Sequence, residues 1–276
     1  DLGRLRRDDQ VLSGPEKDLS AYMTQAGAAP DVLAKGMRLI DPATIFAFLE
    51  LHIEQGPVLE QSDVPLGIVT GIRGNVRHEV TCRGEGGHSG TVPMLMRHDP
   101  VMAVADLLAV LRLKATSAPF DADMVFTAGR FHTDASRDAV SIIPDVVKFS
   151  LEWRSLDGEL LTSFGDTVVS VAGAIAKRHG VHFYLGTETR TEPGQMDYVL
   201  RDLLDRQCQK LGVARREIPS GAGHDAAVFA QEGVPTAMLF VRNQNGSHNP
   251  KEAMRMDDFE KGVEVLEATL TALAAK

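Results

Sequence analysis

Hydrophobic and polar positions alternate from Leu49 to Glu54. Leu49, Leu51 and Ile53 fall on one side, Glu50, His52 and Glu54 on the other, which predicts a strand ending at the Gly56-Pro57 break. Ile45, Phe48 and Leu49 would also fit a helix face; the strand is the preferred reading. Further on, Arg77–Glu85 alternates like a strand, and Val101, Val104, Ala105, Leu108 and Leu111 recur at helical spacing. Met124–Phe131 and Val146–Trp153 read as two more strands. Leu160, Phe164, Val168, Val171 and Ile175 form a second helical stripe behind Asp157, a plausible N-cap, and Val181–Leu185 closes the set as a strand. The order β-α-β-β-α-β predicts a four-stranded antiparallel sheet with two helices on one face, over residues 73–188.

The flanking segments have a different pattern. Residues 15–40 are polar and helical in spacing, with Pro15 early and breaks at Gly27 and Pro30, and Asp41-Pro42 marks a helix start or turn. A helix is expected over 196–211, a short apolar strand over Pro235–Val241, and a C-terminal helix carrying Phe259, Val263, Leu266, Leu270 and Leu273. The expected fold class is α/β: a discontinuous domain of residues 1–72 and 189–276, with the 73–188 unit inserted. No internal repeat or low-complexity tract interrupts this plan.

Composition narrows the function classes. A hydrophobic share of 43% supplies a core, and a net charge of −9 argues against nucleic acid or an anionic membrane as partner. Cys82 and Cys208 are the two cysteines, so no disulfide framework is implied and a reducing, cytoplasmic setting is expected; Cys82 alternates with Val80 and His78 as a core position would. No signal peptide is recognised, and no apolar run is expected to reach the roughly 18 residues of a membrane span. The chain starts at Asp1, and the charged segment DLGRLRRDDQ reads as the interior of a longer protein.

Four places carry candidate chemistry. His52, between two glutamates in an otherwise apolar run, is either a metal ligand or a histidine on a solvent-facing strand. His248, in Asn245-Gly246-Ser247-His248-Asn249-Pro250, follows an apolar strand, where α/β sheets bind ligands, or is a solvated loop residue. Ser220-Gly221-Ala222-Gly223-His224-Asp225 is a small-residue loop that lets a ligand approach the backbone, leading into a helix start that could hold an anion. Ser220 lacks the Gly-x-Ser-x-Gly setting of a serine hydrolase. The glycine-rich run 84–93 carries His88 but no lysine where a phosphate-binding loop needs one, and its plain reading is an irregular turn.

Taken together, LELHIEQGPVLE (49–60), GIVTGIRG (67–74), GEGGHSGTVPM (84–94), AVSIIP (139–144), LEWRS (151–155), PSGAGHDA (219–226) and NGSHNPKEAM (245–254) resemble, in order and spacing, the hydantoinase/carbamoylase family of amidohydrolases, within the two-metal aminoacylases and carboxypeptidases. Relatives in that family include N-carbamoyl-L-amino-acid hydrolases, allantoate amidohydrolases and β-ureidopropionases. The resemblance covers nearly the whole chain. It implies a two-metal peptidase-like catalytic domain, truncated at its N-terminal side, with 73–188 as a ferredoxin-like lid and dimerisation domain. It implies His52 as a ligand of one metal and His248 as a ligand of the other, the ions being Zn, Mn, Co or Ni. Gln55 is similar to the residue that helps hold substrate, and Gly223 and His224 to those around the substrate carboxylate. His88, as oxyanion stabiliser, and Arg154, as two-pronged carboxylate binder, resemble residues that reach from one subunit of a homodimer into its partner's site. Glu54 invites a general-base role on local grounds, which the family pattern does not support.

Two departures stand out. Ser141 occupies a position where relatives have a substrate-binding Asn. The family's His-x-Asp ligand pair, bridging Asp and Glu-Glu pair, the last supplying the general base, belong upstream, and neither pair is read in this chain. The expected function is a metal-dependent amidohydrolase acting on a linear amide or ureido bond of an N-carbamoyl amino acid or allantoate-like small molecule. The 276 residues by themselves are expected to be an inactive fragment that need not hold the metals. The alternative is a non-enzymatic dimeric binding module.

Overall fold

The computed structural model describes residues 19–35 and 41–275, in two units, 1–46 and 47–276. Within the first unit, helices Leu19–Gln25 and Pro30–Ala34 stand on either side of Gly27, as the expected break there requires, and Asp41 caps a short 3-10 turn at Pro42–Thr44. The remainder of the 15–40 stretch and the charged start of the chain lie outside the described residues.

The second unit contains ten strands used below. They are β1 (Phe48–Ile53), β2 (Leu66–Ile72), β3 (Gly74–Arg83), β4 (Val125–Thr127), β5 (Val146–Ser155), β6 (His182–Tyr184), β7 (Thr189–Thr191), β8 (Gly194–Gln195), β9 (Arg215–Ser220) and β10 (Thr236–Val241). Its main helices are α1 (Pro100–Ala115), α2 (Gly158–His179), α3 (Tyr198–Lys210), α4 (Asp225–Gln231) and α5 (Met256–Ala274).

One sheet runs β1-β10-β2, with β8 and β9 both pairing β2; β1 is parallel to β10 and β9 parallel to β2. Alternation along β10 divides the core. Ala237, Leu239 and Val241 pack with Leu200, Leu204 and Val265 of α3 and α5, while Met238 and Phe240 pack with Leu59, Ile218 and Ala226 on the opposite face. β1 is in register with β10, His52 opposite Phe240, so Leu49 and Leu51 join the α3/α5 side and Glu50 and His52 face the α4 side.

The strands β2 and β9 carry no expectation from the hydrophobic pattern. In β2 every residue but Thr70 is buried, so the run has no alternation to detect; it is a central strand covered on both faces. β9 begins Arg215-Arg216-Glu217, which reads as polar surface.

The second sheet is antiparallel, in the order β6 or β7, β3, β5, β4, with Phe131–His132 also on β5. Helices α1 and α2 pack on one face through Val104, Leu107, Leu111, Leu161, Phe164 and Val168. Trp153 donates from Nε1 to the Leu161 carbonyl at 2.9 Å, satisfying the buried indole. Asp157 caps α2 through the Glu159 and Leu160 amides, and Gly180, at φ 65°, ends it. The expected Met124–Phe131 strand is shorter than predicted: only Val125–Thr127 pairs, and the chain then leaves the ladder until Phe131. Helix α2 also corrects the expectation about apolar runs. It is the one helix among the described residues long and apolar enough to cross a membrane, because Val, Ala and Gly fill the spaces between its buried positions. Both cysteines are buried thiols, Cys82 pushed up to about 12 by burial with Asp99 adding to it, which suits an inert core role.

The chain passes from β2 to β3 through Arg73. Its amide donates to the Ser220 carbonyl at 3.0 Å, and its side chain forks onto Asp123 Oδ1 at 2.8 and 2.6 Å. Gly74 is required next, since a Cβ there would sit 2.5 Å from the Thr191 carbonyl. After β10, Arg242 binds the fully buried Asp258 at 2.8 and 2.9 Å and reaches Asp63 at 2.6 Å. Removing a buried partner strands the other charge. Asp258→Ala is expected to lower the unfolding free energy by about 3 kcal/mol, measured by urea denaturation.

Candidate functional site

Glu50, His52 and His224 come together on the α4 face of the first sheet, each offering a ligand atom within 4.8 Å of the others. They form a group that could hold a metal ion. β1 delivers the first two by its two-residue period, and the loop between β9 and α4 delivers the third. The rings of His52 and His224 meet edge to face at 4.6 Å, and Phe240 closes on both. Glu50 Oε2 accepts from the Ala226 amide at 2.9 Å, while Oε1 lies 3.7 Å from His224 Nδ1. The His224 side chain is 1% exposed. Burial first, and the neighbouring His52 second, lower its pKa to about 4 against an opposing pull from Asp225, so the imidazole is neutral at pH 7, as a metal ligand must be.

Glu54 does not join this group. The chain turns at Gln55, φ 63°, and both Glu54 carboxylate oxygens accept backbone amides, Val58 at 2.7 Å and Leu59 at 2.8 Å. Its role is to cap the Val58–Gln61 helix, which the alternating pattern cannot distinguish from a third polar residue on the face.

His248 meets Gln55. Gln55 Nε2 lies 3.4 Å from His248 Nε2 and 3.3 Å from Ser247 Oγ. The loop is held by Glu252, which accepts from Ser247 Oγ and from the His248 amide, both at 2.9 Å. This clamp supports the left-handed backbone of His248, φ 60°.

Arg154, on β5, reaches the small-residue loop of its own chain, donating from Nη1 to the Gly221 carbonyl at 2.5 Å, two residues from Gly223. Glu152 steadies it, accepting from Arg154 Nε at 2.6 Å and from Arg77 on its other oxygen. His88 and Ser141 lie together elsewhere in the antiparallel unit, on a groove of about 940 Å³ with Arg137, Val140 and Ile142. His88 pairs in register with Ile142, and its Nδ1 accepts from the Gly90 amide at 3.0 Å. None of Gln55, His52, His224 or His248 lines that groove.

The expectation that no His-x-Asp pair occurs is corrected by His132-Thr133-Asp134. It sits at β5 and the groove, where Asp134 accepts from the amide and hydroxyl of Ser136, and it is not part of the Glu50 group. Glu50, Glu152, Ser220 and Glu252 carry no assigned role in the sequence reading. Glu50 and Glu152 do stand two residues before His52 and Arg154, on the same strand faces, a signal that could have found them.

Residues 21–272 match the profile of Peptidase family M20/M25/M40. The chain is 36% identical over 257 residues to an N-carbamoyl-L-amino acid amidohydrolase of Geobacillus stearothermophilus, covering 93% of this chain and 61% of the relative. It is 34% identical over 269 residues to the allantoate amidohydrolase of Bacillus subtilis, covering 97% and 62%. A crystal structure of an amidase of the hydantoinase/carbamoylase family from Burkholderia phymatum superposes with a TM-score of 0.76 at 30% identity, covering 86% of this chain and 56% of that one. The chain thus spans about three fifths of the length of these curated relatives.

The lowered pKa of His224 has a direct consequence for stability. Its folded value, about 4, lies below the ordinary value near 6.5, so the unfolded chain takes up the proton first. The metal-free chain therefore loses this contribution as pH falls from about 6.5 through about 4. Urea midpoints measured across that range should fall more steeply for the wild type than for His224→Asn.

Proposed function

The chain belongs to Peptidase family M20/M25/M40, and on that premise we propose that the whole protein is a metal-dependent amidohydrolase cleaving a linear amide or ureido C–N bond of an N-carbamoyl amino acid or an allantoate-like substrate. The observation that carries the reading is the polar cluster on β1: His52, its Nδ1 engaged by the Ile53 carbonyl, beside the Glu50 carboxylate and facing the neutral imidazole of His224. The activities of the relatives, on N-carbamoyl-L-amino acids and on allantoate, supply the substrate class.

The roles follow the family pattern. His52 and His248 are proposed as ligands of two divalent ions (Zn, Mn, Co or Ni). The donor set fits such ions, since His52 Nδ1 is engaged by the Ile53 carbonyl at 2.6 Å, leaving Nε2 to ligate. When bound, the metals supply Lewis-acid polarisation of the scissile carbonyl and acidify the attacking water. Gln55 hydrogen-bonds substrate next to His248. Arg154 holds the substrate carboxylate, its fork kept in plane by Glu152, with Gly223, His224 and Ser141 completing the contacts. His88 stabilises the developing oxyanion.

Residues 73–188 are proposed as the ferredoxin-like lid and dimerisation domain of a homodimer, and residues 1–72 with 189–276 as the catalytic domain. Of His88 and Arg154, the two residues proposed to reach into a partner subunit's site, His88 lines a groove that the Glu50 group does not, which suits such delivery, whereas Arg154 contacts Gly221 of its own chain. The 276 residues contain no Glu-Glu pair to furnish the general base and are expected to give no turnover alone.

The test is ammonia release from N-carbamoyl-L-amino acids, N-carbamoyl-β-alanine and allantoate by the whole protein reconstituted with metal. Hydrolysis of one class is expected; inactivity on all three overturns the reading. Arg154→Lys replaces the planar fork with a point charge and is expected to reduce kcat/KM by about 100-fold on the active substrate.

A further inference from the structure

The turn that carries His88 is held by hydrogen bonds rather than by buried side chains. Thr91 and Pro93 are exposed, and Ser89 and Val92 are partly covered. The His88 carbonyl accepts from the Thr91 and Val92 amides, both at 3.2 Å, and the Ser89 amide donates to the Ser141 carbonyl at 2.9 Å. Two carbonyls of the turn go to one side chain. Arg97 donates from Nη2 to the Ser89 carbonyl at 2.5 Å and from Nε to the Val92 carbonyl at 3.0 Å. The guanidinium is a rigid fork, so it holds the two carbonyls at a fixed spacing.

Arg97 is itself anchored. It follows the Met94–Met96 3-10 turn and stands two residues before Asp99, whose carboxylate caps α1 through the Val101 and Met102 amides. Between them, the His98 carbonyl accepts from the Glu85 amide at 2.9 Å. That carbonyl passes so close to Gly84 that a Cβ there would sit 2.0 Å from it. The brace therefore joins an exposed turn to a helix packed on the antiparallel sheet.

The same turn selects one nitrogen of the His88 ring. The Gly90 amide, between the two braced carbonyls, donates to His88 Nδ1 at 3.0 Å. A backbone amide can only donate, so Nδ1 carries no hydrogen and neutral His88 is the Nε2–H tautomer. An oxyanion stabiliser must donate a hydrogen bond, and Nε2 is the nitrogen left to do so. A Cβ on residue 90 would stand 3.3 Å from His88 Cε1, so glycine lets the amide approach the ring.

We propose that Arg97 is a positioning residue for the oxyanion step: by bracing the Ser89 and Val92 carbonyls it keeps the Gly90 amide on His88 Nδ1 and so presents Nε2–H. The inference rests on the reading of His88 as oxyanion stabiliser and adds how its donor is selected and held.

Two readouts test it. The first uses the nitrogen-15-labelled 276-residue chain, at a pH about two units above the ordinary histidine value of about 6.5. A coupling across the hydrogen bond between the Gly90 nitrogen and His88 Nδ1 is expected. Arg97→Ala is expected to abolish it, and Arg97→Lys, which keeps the charge without the fork, to weaken it. Urea midpoints confirm folding, and Arg97→Lys carries the comparison if Arg97→Ala does not fold. The second readout is turnover by the whole protein on its active substrate. Arg97→Ala is expected to lower kcat by about 10- to 100-fold with KM within about 2-fold, because the donor acts on charge that develops in the transition state. In a His88→Ala background the same substitution is expected to cost nothing further, as it must if Arg97 acts through His88. The proposal is overturned if the wild type lacks the coupling or shows an Nδ1–H ring, or if folded Arg97→Ala retains the coupling or the kcat. Losses that multiply in the double variant also overturn it. A His88→Ala protein with undiminished kcat overturns the oxyanion reading and the proposal with it, while the coupling still reports whether Arg97 holds the ring.

Discussion

The parallel register of β1 on β10 is the constraint from which the candidate site follows. With His52 opposite Phe240, Leu49 and Leu51 enter the core under α3 and α5, and Glu50 and His52 are delivered to the other face. A slip of one residue would bury a carboxylate and an imidazole under α5 and expose the leucines. Packing of these two partly buried leucines against the core, each contributing less than the about 1.5–3 kcal/mol of full burial, therefore also fixes where the polar ones stand. The Val241 carbonyl adds a further anchor by accepting from the Glu54 amide just before the chain turns at Gln55.

Much of this was legible in the chain itself. Period-two and helical runs located β1, β3, β5, α1, α2, α3 and α5 to within a few residues, and β10, buried along its whole length, stood out as a short apolar run. β2 escaped because both its faces are covered, so it does not alternate, and Gly67, Thr70 and Gly71 break up what would otherwise be an apolar run. The site was legible in part. His52 and the Gly-rich loop stood out, but their meeting depends on β1 and β9, which flank β10 and β2 in the sheet and are separated by more than 160 residues. Glu54 shows the converse limit: the pattern places it with Glu50 and His52, and a local turn removes it to cap a helix.

Two kinds of holding contact recur around the proposed chemistry. Carboxylates serve as supports: Glu152 for Arg154, Glu252 for Ser247 and His248, Asp123 for Arg73. Backbone groups do the finer work: the Ile53 carbonyl on His52, the Ala226 amide on Glu50, the Gly221 carbonyl under Arg154. Charged supports set position over several ångströms, whereas backbone supports select one atom of a ring or a carboxylate for use.

Ser220 belongs to both kinds of place at once. Its carbonyl receives the Arg73 amide where the chain passes from one sheet to the other, and its hydroxyl contacts the His224 ring. The passage between the sheets and the orientation of an imidazole are thereby one residue apart in covalent terms. A change at the Arg73 passage would therefore act on the same residue whose hydroxyl contacts the His224 ring.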